Sequence, residues 1–161
     1  MKTIKMTKVL IALDFNPTAQ KVAEKGFSLA KTMGAEAILL HVIVDPIFYS
    51  SMESAPMMGY VGNMLAAPSQ MSSVEDVKIA AQQFLDKSKH HLGDEAIKTL
   101  VKEGDFAESI LKAAKESHAD VIVMGSHSRR WLDEVLMGSV TEKVLHHTTI
   151  PLFIIPTKKP R

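Results

Sequence analysis

Val121-Ile122-Val123-Met124-Gly125-Ser126-His127-Ser128 begins as a short, wholly apolar, largely β-branched run and stops at a glycine. Such a run reads as a buried strand that delivers its chain into a tight turn. After nine more residues comes Gly138-Ser139-Val140-Thr141-Glu142, in which Ser139 and Glu142 stand at the spacing of a helix-starting capping box. A strand therefore ends where a loop begins, and the loop runs into a helix N-terminus. Unpaired N–H groups and the positive end of the helix dipole meet there, so a glycine-lined turn beside it suits phosphate. The expected ligand is anionic.

Working outward, the rest of the chain alternates strand and helix. Lys8 to Phe15 reads as a first buried strand, and Asn16-Pro17 as a helix N-cap followed by proline at the first helical position. Ala19, Val22, Ala23, Gly26, Phe27 and Ala30 recur at helical spacing up to a stop at Gly34. Ala37 to Val44 is a second continuous apolar strand, and strand, helix, strand without a tight hairpin argues for a parallel sheet. A second helix carries Val74, Val77, Ala81, Phe84, Leu85 and Leu92 on one face and closes at Gly93. Ala96 to Lys102 follows as a half-buried strand. Asp105 and Glu108 then form a capping box for a third helix with Ile110, Leu111 and Ala114 on its apolar side. Asp120 to Met124 is the fourth strand, a fourth helix runs from Ser139 to His147, and Pro151 to Ile155 is the fifth strand. The class is α/β.

Two stretches break the pattern. From 45 to 73 periodicity disappears, and this long connection holds five of the ten methionines with three prolines. It is too apolar for a solvated linker and reads as a loop lying over the sheet edge, with a partner-binding surface as the alternative. Within the loop before Gly138, Trp131, Leu132, Val135 and Leu136 form one side of a short amphipathic turn, read as a packed lid. A basic tail closes the chain over 157–161.

The 161 residues suit a single domain spanning 1–161, and 46% hydrophobic residues place the chain among ordinary globular proteins. Nineteen Lys and Arg against 18 Asp and Glu give a net charge of +1, so no global field argues for nucleic acid as a partner. Cysteine is absent, which excludes a disulfide framework, thiolate zinc sites and thiol catalysis, and fits a reducing compartment. The only early apolar run, Val9 to Leu13, is too short for a signal-peptide core or a membrane span. A cytoplasmic protein is expected. His90-His91 and His146-His147 are adjacent pairs at helix ends; neighbours on a helix point apart, so they read as dipole partners rather than metal ligands.

The spacing of Gly125, two residues, Ser128, nine residues and then Gly138-Ser139 resembles the nucleotide motif of the universal stress protein family, G-x-x-G, nine residues, then G followed by S or T. The first strand ending in Asp14 and the second ending in His41-Val42 match that family too. The motif departs from the family at one place, where its second glycine is Ser128. The resemblance implies an open five-stranded parallel sheet of order 3-2-1-4-5 with helices on both faces, a Rossmann-like fold of the adenine nucleotide alpha hydrolase type. It also implies that Asp14 and the backbone of Val42 hold adenine, while Gly138, Ser139 and Val140 receive the phosphates.

Residue chemistry fills in the remainder. A strand-end carboxylate such as Asp14 can accept from an exocyclic amine or bond nearby N–H groups, and the residues alone leave both open. Gly125 either lets backbone approach ribose or phosphate or merely ends a strand. Ser128 costs about 1–2 kcal/mol if its position needs a left-handed backbone, but its hydroxyl can also donate to phosphate. Arg129 and Arg130 follow and can compensate with charge-assisted contacts, and His127 can donate as well. The candidate nucleotide contacts are Asp14, Val42, Met124, Gly125, His127, Ser128, Arg129, Gly138, Ser139, Val140 and Thr141.

Three functions compete. The first is an ATP-binding stress-response regulator, with AMP or ADP as alternative ligands and Mg held only through phosphates. The second is a dimeric stress protein of the same fold that does not bind nucleotide, motivated by Ser128. The third is a slow ATPase or autophosphorylating protein, which no poised base and no P-loop lysine supports. The resemblance further implies a homodimer through the last strand, Leu152 to Ile155, and an unidentified protein partner.

Overall fold

The computed structural model describes residues 2–44, 73–126 and 137–157. The long connection, the loop turn from Trp131 to Leu136 and the last four residues of the basic tail lie outside the described residues.

Nine described elements alternate along the chain: β1 (Lys8–Ala12), α1 (Ala19–Met33), β2 (Glu36–Ile43), α2 (Val74–Leu92), β3 (Lys98–Glu103), α3 (Phe106–Glu116), β4 (Val121–Gly125), α4 (Ser139–His147) and β5 (Leu152–Ile155). The strands form one parallel sheet in the order β3-β2-β1-β4-β5. This is the expected order.

Strand periodicity sorts the core into two layers. Val9, Ile11, Leu39, Ile43 and Val123 face α1 and α2, whereas Leu10, Ile38, Leu40, Ile122 and Met124 face α3 and α4. Residues 9–12 of β1 and Val121–Gly125 of β4 are continuous apolar runs because both faces of these interior strands are covered. Val9, Leu10 and Ile11 are fully buried, each contributing roughly 1.5–3 kcal/mol.

Helix termini follow local chemistry. Gly34 (φ 64°) and Gly93 (φ 74°) end α1 and α2 in the left-handed conformation that glycine adopts without strain. Ser73 caps α2 through a reciprocal box with Asp76, while Asp105 caps α3 by accepting the Glu108 N–H at 3.0 Å. At α1 the expected start is corrected: the helix begins at Ala19 with Thr18 at the N-cap. Asn16 instead accepts from Thr18 N–H at 3.1 Å and from Thr18 Oγ1 at 2.9 Å, an Asx turn that delays the helix.

At the edge, β3 carries Lys98 and Lys102, which pair with Glu36 at 2.7 Å and Glu116 at 3.4 Å. Charge on an edge strand discourages further pairing there. At the amino end of the sheet, Asp120 accepts the N–H groups of Thr7 and Lys8 at 2.7 and 3.0 Å, tying β4 to β1 and holding its own pKa down. No helix among the described residues is long and apolar enough to cross a membrane.

Candidate functional site

Strand order reverses around β1, which has β2 on one flank and β4 on the other. The carboxyl ends of β1 and β4 therefore flank the crevice in which open parallel sheets place their ligands. Register pairs Ile11 with Val123 and Ala12 with Leu40. Carried two residues further, it sets Leu13 beside Gly125 and Asp14 beside Val42.

Two hydrogen bonds seat α4 against this end of the sheet. Thr141 Oγ1 donates to the Gly125 carbonyl at 2.9 Å, and Gly138 N–H donates to the Ser126 carbonyl at 2.6 Å. The first helical bond runs from Glu142 N–H to the Gly138 carbonyl at 2.9 Å. The N–H groups of Ser139, Val140 and Thr141 thus precede the helical ladder, with the positive end of the dipole behind them.

The expected cap is corrected here. Gly138, not Ser139, is the N-cap residue, with extended backbone (φ −67°, ψ 154°), and no side chain among the described residues caps the helix. Ser139 is already the first helical residue, so its hydroxyl is one position too late to fold back as a cap. Thr141, whose hydroxyl is engaged by Gly125, does not cap either. The donors that a capping serine would have taken have no side-chain acceptor among the described residues.

Asp14 stands where β1 turns towards α1. Its Oδ1 accepts the Asn16 N–H at 3.0 Å, so part of its acceptor capacity is used locally. Although the residue keeps partial exposure, burial of its carboxyl pushes the pKa up to about 6, against the opposing pull of backbone N–H groups. A desolvated carboxylate gains more from a new hydrogen-bond donor than a solvated one does.

His41 lies beneath this turn, wholly within the core. A carbonyl only accepts, so the 2.7 Å contact with Leu13 O identifies Nδ1 as the protonated nitrogen of a neutral ring. The ring packs on Phe15, centroids 4.1 Å apart, and on Phe84 at 5.7 Å. Burial pushes its pKa down to about 4, and Nε2 has no partner among the described residues. His41 anchors the residue immediately before Asp14.

The side chains of Val42 and Met124 are buried in the second core layer, which leaves their backbones as the groups able to meet a ligand. Gly125 is a glycine for packing reasons: a Cβ there would lie 2.9 Å from Thr157 Cγ2 and 3.0 Å from Val22 Cγ2. His127, Ser128 and Arg129 lie outside the described residues. Of the expected contacts, the Thr141–Gly125 bond and the Gly138–Ser126 bond bring the segment Gly138 to Thr141 to the end of β4, with Asp14 and Val42 near the ends of β1 and β2. Sequence reasoning gave no role to Ser126 or Thr157, whose hydroxyl and amide contacts clasp the end of β4.

Residues 5–156 match the family model described as the universal stress protein family. This chain is a member of that family. Universal stress protein MJ0577 of Methanocaldococcus jannaschii is 31% identical to it over 155 residues, covering 94% of this chain and 95% of its own. The solved structure of MJ0577 superposes with a TM-score of 0.70 at 26% identity, covering 98% of this chain and all of the other (100%). Two further family structures share the fold. One is a universal stress protein in complex with cAMP, with a TM-score of 0.63 at 16% identity over 96% of this chain and 100% of that one. The other, from Archaeoglobus fulgidus in complex with dAMP, has a TM-score of 0.58 at 18% identity over 95% and 99%. A universal stress protein with the Rossmann-like nucleotide-binding fold accounts for the whole sheet and the four described helices.

Proposed function

We propose that this universal stress protein binds an adenine nucleotide, ATP first among them, in the crevice between β1 and β4 and acts as a nucleotide-responsive regulator. The observation that carries the reading is the start of α4, uncapped by any described side chain and fastened to the end of β4 at the switch point, with the Ser139–Thr141 N–H groups ahead of the helical ladder. That arrangement provides three donors and a dipole for phosphate. Asp14 supplies an acceptor for the exocyclic amine of adenine, and the backbone of Val42 lies beside it. His127, Ser128 and Arg129, which lie outside the described residues, are further phosphate donors in this reading, with Mg held only through the phosphates. The cAMP and dAMP complexes of structurally similar proteins support the ligand class.

The test is calorimetric titration of stripped protein with ATP and AMP, together with analysis of any nucleotide released when fresh protein is denatured. Gly138→Asp is the matching variant. The Gly138 backbone suits an N-cap aspartate, which would satisfy the helix end itself and repel phosphate. We expect stoichiometric ATP binding in the native protein, weakened at least tenfold in the variant, about 1.4 kcal/mol. Folded protein that gives no heat and releases no nucleotide refutes the reading, and leaves a stress protein of this fold acting without nucleotide.

Pairing of two copies through β5 belongs to the same proposal. The strand reads Leu-Phe-Ile-Ile with no charge, and Phe153 is 44% exposed at the sheet edge. An uncharged apolar edge favours a partner strand. Sedimentation at micromolar concentration should find a dimer; a monomer overturns this part alone.

A further inference from the structure

Ser126 is not among the proposed nucleotide contacts, yet it spends its backbone and its side chain on two later segments of the chain. Its N–H donates to the Ile155 carbonyl at 2.9 Å, and its carbonyl accepts the Gly138 N–H at 2.6 Å. Its Oγ accepts the Thr157 N–H at 3.1 Å and lies 3.3 Å from Thr157 Oγ1. Both residues are buried, at 7% and 8% exposure, so these bonds do not exchange with water and are correspondingly firm.

The segment after β5 is itself held down. Lys21 Nζ donates to the Pro156 carbonyl at 2.8 Å, and Thr157 Cγ2 fills the space that a side chain at Gly125 would occupy. One chain of bonds therefore runs from Thr157 through Ser126 to Gly138, and through the Gly138 carbonyl to Glu142 in the first turn of α4. We infer that Ser126 is a positioning residue for phosphate, aiming the leading N–H groups of α4 by clasping the helix start to the end of β5. The inference rests on the adenine-nucleotide reading above. Asp14, just beyond β1, and Val42 on β2 make none of these bonds, so the adenine end of the site should respond separately.

That separation makes the test specific. Ser126→Ala removes only the Oγ contacts, and ATP and adenosine are titrated calorimetrically into native and variant protein, with thermal melts to establish folding. ATP affinity should fall about fivefold to tenfold, the loss of one buried hydrogen bond, while adenosine affinity changes less than about twofold. An unchanged ATP affinity, or an equal loss for both ligands, overturns the inference while leaving the nucleotide reading intact. Native protein that binds neither ligand overturns both. Should the variant not fold, amide exchange in the native protein decides: ATP should slow the Thr157 amide together with those of Ser139 to Thr141. An unchanged Thr157 amide refutes the clasp.

Discussion

Replacing Asp14 with asparagine should make the protein more stable at neutral pH and leave it unaltered at pH 4. Burial raises the carboxyl from 3.8 to about 6, so between those values the native state holds a proton that the unfolded chain has released. The stabilisation from that proton is fully present below pH 3.8 and lost as pH rises through about 6. At about 1.4 kcal/mol per pH unit, the loss amounts to about 3 kcal/mol, reduced towards about 1–2 by the partial exposure of the residue. Asparagine keeps the shape and, through Oδ1, the acceptor for Asn16 N–H, but has no charge to desolvate. Urea unfolding of both proteins at pH 4, 5, 6 and 7 supplies the assay. The stability gap should open from near zero at pH 4 to about 1–2 kcal/mol in favour of the Asp14→Asn variant at pH 7. A gap that does not vary with pH, or one that closes on going to pH 7, refutes the reasoning. The same substitution should weaken ATP binding, because a neutral amide oxygen is a poorer acceptor; stability and function oppose each other at this position.

His41 behaves in the opposite sense. Its folded pKa is depressed from 6.5 to about 4, so stability is lost as pH falls through that window, by at most about 3 kcal/mol. His41→Leu should abolish that acid sensitivity, read as urea midpoints at pH 7 and 4.5. Gly125→Ala forces a methyl against Thr157 and Val22 and should cost about 1–3 kcal/mol, visible as a lowered melting temperature. Ser73→Ala removes the Oγ that accepts the Asp76 N–H, while the backbone half of the α2 capping box survives, and should cost about 1 kcal/mol in chemical denaturation.

The elements were legible where a single physical rule governs a segment. Val9 to Leu13, Ala37 to Val44 except His41, and Val121 to Met124 are apolar on both faces because both faces are covered, and Gly34 and Gly93 end helices by taking positive φ. Termini set by competition were harder to read. Asn16 carries a cap's chemistry but spends it on an Asx turn, and Ser139 has a capping-box partner yet sits inside the helix because Gly138 N–H is drawn to Ser126. Strand order is not encoded by local periodicity at all, and entered only through the family resemblance. Within the candidate site, Gly125, Gly138 and the strand-end Asp14 stood out. The reason for Gly125 did not, since it depends on Thr157, thirty-two residues away in sequence. Nor did the role of Ser126, whose partners come from two later segments.

The strand order also dictates when the crevice comes into being. β1 meets β2 after a single intervening helix, Val9 opposite Ala37, but its other neighbour brings Val121 to the same residue from the far half of the chain. Non-local parallel pairing carries the largest loop-closure cost and forms late. The first three strands can associate while β4 is still being synthesised, whereas Asp14 and the start of α4 belong to opposite sides of that last junction. The binding crevice is thus the seam along which the two halves of the chain finally join. A ligand held there would oppose the opening of that seam, slowing escape from the native state.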